Sequence, residues 1–151
     1  MTEQTSFHKE PKQESLTVST FGYDLIREML LQELLGKDAP ELLYWAGKRL
    51  ARKIPLFSTE EIVEFFQKAS WGSLTIKSET KHETLFELGS DLIDERLKLN
   101  PDCLFQLESG FLAQQTELQM KVVAEAFEHP RKSNNKVQFT VKWDLKDPIN
   151  L

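Results

Sequence analysis

Lys136-Val137-Gln138-Phe139-Thr140-Val141-Lys142-Trp143 alternates apolar and polar residues without a break. Such period-2 alternation marks a strand with one buried face and one wet face. Val137, Phe139, Val141 and Trp143 then share the buried face, and the sheet needs helices on one side only. Just upstream, Val122–Glu128 reads as a partner strand and residues 129–135 as a polar turn, which makes a hairpin. A second hairpin precedes it: Ser73–Glu79 and residues 83–88 flank Thr80-Lys81-His82. In it Leu74 and Ile76 share one face, as do Phe86 and Leu88.

Between and before the hairpins the spacing turns helical. Leu25, Ile26, Met29, Leu30 and Leu34 recur at helical intervals, and Gly36 stands where a helix-ending glycine belongs. Asp38-Ala39-Pro40-Glu41 opens a second helix, with Asp38 as cap and Pro40 in the first turn. It carries Leu42, Leu43, Ala46 and Leu50 and ends before Pro55. Ser58-Thr59-Glu60-Glu61 opens a third, which Trp71-Gly72 terminates. Gly89-Ser90-Asp91 starts a short helix to about Leu99. Asn100-Pro101 starts the last, which runs to about Leu118 and places Cys103 in its first turn. Three helices, two strands, two helices and two strands define an α+β fold: a four-stranded antiparallel sheet of two hairpins, covered on one side by about five helices. Residues 1–18 are polar and unpatterned and read as a disordered tail; residues 19–147 read as one domain.

The chain has 151 residues, 40% of them hydrophobic and 28% charged, with a net charge of −5. That length suits one domain with a real core. The acidic balance argues against nucleic acid or an anionic membrane as partner. The basic cluster Arg131, Lys132 and Lys136 reads as a solvated turn. A single cysteine permits neither an internal disulfide nor a cysteine metal cage. No apolar run approaches the ~18 residues of a membrane span, and residues 1–18 lack the apolar core of a signal peptide. The expected location is the cytoplasm.

Little in the sequence points to chemistry. His8, His82 and His129 lie in the tail and in turns, away from one another, so no metal site is expected. Cys103 has no histidine near it to act as base and reads as an inert core thiol. Glu108 stands out among the carboxylates. It lies on a helix with few other charges, and if buried it needs a partner. Gly47 and Gly110 are mid-helix glycines, each costing ~1 kcal/mol against alanine, which predicts close helix approach. No phosphate-binding glycine pattern is present. Tyr44, Trp45, Trp71, Glu108 and Phe111 are the candidate ligand-binding residues, set either around an apolar pocket or within a filled core. No catalytic residue and no cofactor is assigned.

Two segments carry a family resemblance. Leu42-Leu43-Tyr44-Trp45-Ala46-Gly47-Lys48-Arg49-Leu50-Ala51 resembles the opening helix of vinyl-reductase-type domains. Residues 103–143 resemble their closing helix and hairpin. Those domains share a fold with Bet3-type subunits of TRAPP tethering complexes and with haem-nitric-oxide-associated sensors. Over residues 20–145, including Phe21-Gly22-Tyr23-Asp24, the chain resembles the uncharacterised YslB family of Bacillus-type bacteria. The resemblance implies a helix-covered antiparallel sheet, often dimeric, sometimes with a cavity for a small or acyl ligand. Vinyl-reductase-type domains often carry cysteines in the final hairpin; Val123-Ala124-Glu125-Ala126-Phe127-Glu128 has none, so no thiol or metal chemistry carries over.

The favoured expectation is a non-catalytic small-ligand-binding or sensory module. The rival is a protein-interaction scaffold of the Bet3 kind without ligand, and the third is an enzyme using Cys103 or Glu108. The first helix, residues 25–35, is apolar nearly all round: Leu25, Ile26, Met29, Leu30, Leu31, Leu34 and Leu35. One face can serve the core and another a partner, so a homodimer through this helix is expected.

Overall fold

The structure is a computed structural model and describes residues 16–131 and 134–149. Most of the expected tail, residues 1–15, lies outside the described residues, as does Lys132 of the expected basic turn. Ser19 caps the first helix, its hydroxyl accepting from Gly22 N at 3.1 Å. This helix, α1, is α-helical over Thr20–Asp24, π-helical over Leu25–Leu30 and α-helical again over Leu31–Leu35. Gly36 ends it with φ 67°, a conformation that favours glycine. A 3-10 turn, Gly36–Asp38, leads into α2, Ala39–Lys53. Because that turn feeds the helix directly, the Asp38 side chain makes no capping bond, contrary to the sequence expectation.

Helix α3 spans Thr59–Lys68. Ser58 Oγ accepts from Glu61 N at 3.2 Å, and Glu61 reaches back to Phe57 N at 2.9 Å. That is a capping box shifted by one residue. Strands β1, Ser73–Glu79, and β2, Glu83–Gly89, follow. Ser90 then caps α4, Asp91–Leu99. Helix α5 covers Gln106–Met120, and β3, Val122–Glu128, and β4, Val137–Pro148, close the fold.

Helix α5 begins later than its sequence suggested. Asn100 Oδ1 takes Asp102 N at 3.2 Å and makes a local turn instead of a helix cap. Residues 100–105 form a connector, so Cys103 lies in that connector rather than in a helical first turn. The cap comes from a distant strand: Glu128 Oε1 accepts from Phe105 N at 2.9 Å.

The sheet order is β1-β2-β4-β3, every pair antiparallel. Leu74–Leu88–Val137, Ile76–Phe86–Phe139 and Thr84–Val141–Ala126 lie side by side on the covered face. Val137, Phe139 and Val141 are fully buried, whereas Trp143 is half-buried where the helical layer ends. On the opposite face Lys142 and Glu125 are exposed. Thr140 is the exception, buried on that face beside the His129 ring, whose Nε2 lies 2.6 Å from its hydroxyl. α5 lies at the centre of the molecule. Residues 108–115 of it are all buried, between α2 and the sheet.

Candidate functional site

Helices α2 and α5 touch backbone to backbone. A Cβ on Gly110 would overlap the Tyr44 carbonyl, standing 2.8 Å from its carbon, and one on Gly47 would stand 2.8 Å from Phe111 N while overlapping the Leu107 oxygen. Any larger residue forces the helices apart, which accounts for both mid-helix glycines. Tyr44 then reaches past α5, and its hydroxyl accepts from Ala126 N of β3 at 3.0 Å. Burial raises its pKa above the usual tyrosine value, against the lowering effect of that Ala126 bond.

Beside this crossing, Glu108 is completely buried and meets Arg27 of α1, which is 8% exposed. Arg27 Nη2 donates to Oε1 at 2.6 Å and Oε2 at 2.8 Å, and Nη1 donates to Tyr23 Oη at 3.2 Å. Burial works against the guanidinium charge, but Glu108 outweighs it and the Arg27 pKa is raised. A second pair lies near: Arg96 Nη2 is 2.5 Å from Glu28 Oε2 and donates to Cys103 Sγ at 3.3 Å. Arg96 also stacks on Phe105, 4.5 Å from its centroid. Burial pushes the Cys103 thiol up to about 11, and the nearby Arg96 charge only partly opposes it.

These pairs invert α1. Its one buried residue is Arg27, while Phe21, Leu25, Ile26, Met29, Leu30 and Leu34 are 42–71% exposed. The helical stripe of apolar residues faces solvent, because the π-helical stretch turns Arg27 and Glu28 inward to their partners. On α2, Leu42 and Trp45 are also exposed.

The five candidate residues do not surround one space. Trp45 is 57% exposed, with Lys48 Nζ 5.7 Å from its ring. Tyr44 bonds to β3, and Glu108 is closed in its ion pair. Trp71 and Phe111 do come together, but with Phe65 and Phe66 as a packed aromatic cluster. Phe65 stacks on Phe111 at 4.6 Å, and Trp71 meets Phe111 edge-on at 5.3 Å. Arg131 is not a solvated turn residue either: it donates to Glu128 Oε2 at 3.2 Å and to the Pro101 carbonyl. Among the described residues no cluster of three His, Cys, Asp or Glu could hold a metal, and no helix is long and apolar enough to cross a membrane.

One feature of the site has no signal in the sequence. Trp143 Nε1 is buried with no hydrogen-bond partner among the described residues, and Trp143 borders an open groove of about 470 Å³ between the sheet and helices α3 and α5. Alternation places Trp143 on the core face and carries no information about its indole nitrogen.

Among the described residues a four-stranded antiparallel sheet is covered by five helices, the central one buried against it, which defines an α+β domain. The chain aligns with a vinyl-4-reductase family protein from Methanocaldococcus jannaschii at a TM-score of 0.64, with 16% identity, over 87% of this chain and 85% of that one. It aligns with the phenol-responsive sensory domain of the transcription activator PoxR, solved with phenol, at a TM-score of 0.59 and 12% identity, over 94% of this chain and 87% of that one. These likenesses show the fold. The chain belongs to the family described as "Protein of unknown function (DUF2507)", whose profile matches residues 20–142. Over 134 residues it is 47% identical to "Uncharacterized protein YslB" of Bacillus subtilis (strain 168), covering 89% of this chain and 90% of that protein.

Proposed function

We propose that this protein is a non-catalytic assembly module that works as a homodimer joined through α1. The observation that carries it is the inversion of α1, a helix held to the core by an ion pair with six large apolar side chains left in water. Single exposed apolar residues are ordinary; six on one helix mark an interaction surface. Each is worth ~1.5–3 kcal/mol if fully buried. Arg27 and Glu28 of α1 are already paired inward, so the outward face is poor in charge, as interface centres are. A second copy is the occupant because closed two-fold dimers are the commonest assemblies. Amide hydrogen exchange tests this: protection of α1 rises with protein concentration while protection of β2 and β4 stays constant. Protection of α1 that is independent of concentration contradicts it.

An enzyme using Cys103 or Glu108 has no support in the geometry. Glu108 is enclosed by Arg27, and the Cys103 thiol is held protonated, donating to a Glu28 carboxylate that is itself paired with Arg96.

Small-ligand binding is the second reading. The packed Trp71–Phe111 cluster leaves Tyr44, Trp45, Trp71, Glu108 and Phe111 with no space to share. What favours a ligand is elsewhere: the groove bordered by Trp143, on a fold shared with a domain solved with phenol.

A further inference from the structure

We propose that α1 is a strap that swings open about Gly36 while the rest of the domain stays folded, and that this opening admits solvent to Cys103.

The attachment of α1 is polar and short. Of residues 20–35 only Arg27 is buried; Leu31 and Leu35 are half-buried, and residues 16–20 at the start are exposed. Two neighbouring residues hold the helix. Arg27 bonds Glu108 of α5, and Glu28 pairs with Arg96 of α4. Segments with few buried apolar contacts open at less than the cost of global unfolding. Opening α1 forfeits little hydrophobic burial, because its large apolar side chains are already in water. The ion pairs lose their mutual attraction, but their charges regain hydration.

The hinge is short. Gly36 has φ 67°, and a Cβ there would have no neighbour within 4 Å. Gly36, Lys37 and Asp38 are exposed, whereas Ala39, where α2 begins, is buried. A few such residues at the end of an element suffice to absorb a hinge rotation.

Beneath the strap lies Cys103, 4% exposed. From α1 it is covered by Glu28, whose Oε1 accepts from the thiol at 3.6 Å. The packing there is incomplete: Glu28 and Gln32 of α1 share a space of about 220 Å³ with Pro40, Leu43, Cys103 and Leu104. Atoms facing such a space lose dispersion contacts, which weakens the hold on α1 further.

The test follows thiol labelling of Cys103 and amide hydrogen exchange in the full chain, under the same conditions and at high dilution. The labelling rate, relative to that of the unfolded chain, gives the opening constant at Cys103. It is expected to match that of the α1 amides and to exceed that of Phe139 and Val141 in β4 about tenfold or more. Val137→Ala, which weakens the sheet and leaves α1 untouched, should speed exchange in β4 and leave Cys103 labelling unchanged. Arg27→Ala should speed Cys103 labelling about a hundredfold, the size of losing one partner of a buried pair. The partners of Arg27 are Glu108 and Tyr23 rather than Cys103, so this effect must pass through the helix. Arg27→Gln, which keeps a donor for Glu108, is read in the same way if the alanine variant does not fold. Cys103 labelling that tracks β4 exchange, in the natural protein or in Val137→Ala, means that the thiol is reached by global unfolding and overturns the proposal. Labelling unchanged in the Arg27 variants while α1 loses protection means that the 100–105 connector opens by itself, and also overturns it.

Discussion

Arg27 and Glu108, 81 residues apart in the chain, meet through a single guanidinium nitrogen that donates to both carboxylate oxygens, at 2.6 and 2.8 Å. The pair fastens α1 to the central helix where apolar packing does not. Two charges out of water cost several kcal/mol each unless they compensate one another. Removing one partner is therefore expected to cost ~3–5 kcal/mol, for Arg27→Ala or Glu108→Ala alike. The double replacement Arg27→Met with Glu108→Leu should cost less than either single change. Urea unfolding at one fixed protein concentration measures this, and single changes that cost under ~1 kcal/mol would mean the pair is solvated.

Gly110→Ala puts a methyl group into the Tyr44 carbonyl. Backbone cannot move aside as a flexible side chain can, so the helices must separate. A loss of ~3 kcal/mol or more is expected, at the upper end for overpacking. An alanine tolerated there with an unchanged melting temperature would show that α2 and α5 do not cross this closely.

Glu128 sets a pH dependence with a definite sign. Burial raises its pKa above the ordinary carboxylate value, and the bonds from Phe105, Gln106 and Arg131 only partly oppose this. The native state therefore holds a proton that the unfolded chain has already released. The contribution of this group to stability falls as pH rises from the ordinary value of 4.5 through the folded-state value. Glu128→Gln keeps an acceptor for Phe105 N and removes the titration. The stability of the natural protein minus that of the variant should decline across this range. A difference that grows with pH contradicts the assignment.

Cys103 should react slowly. With its thiol pushed up to about 11, the alkylation rate should climb with pH and show no plateau below pH ~10. A plateau near the ordinary ~8.5 would mean that the side chain is solvated and unlinked to Arg96.

The sheet was legible because its signals are local. Alternation in β4 placed Val137, Phe139 and Val141 correctly, and the β1 and β3 boundaries follow from turn residues beside them. Gly47 and Gly110 announced the helix crossing by their cost. The start of α5 was not legible, since its cap is Glu128, 23 residues downstream of the Phe105 amide it binds. Nor was the facing of α1. A stripe of apolar residues at helical spacing normally points to the core, and only the π-helical stretch and the distant partners Glu108 and Arg96 reverse it. Of the candidate aromatics, Trp71 and Phe111 touch edge-on at 5.3 Å, but sequence carries no information on whether rings fill a gap or line it.

Whether α1 joins two copies of the chain, as proposed, is read from sedimentation velocity. At tens of micromolar the natural protein should sediment as a dimer. Met29→Glu, which places a charge among the exposed apolar residues of α1 and touches no buried partner, should sediment as a monomer with an unchanged circular dichroism spectrum. A natural protein that is monomeric at that concentration, or a Met29→Glu variant that remains a dimer, contradicts the account.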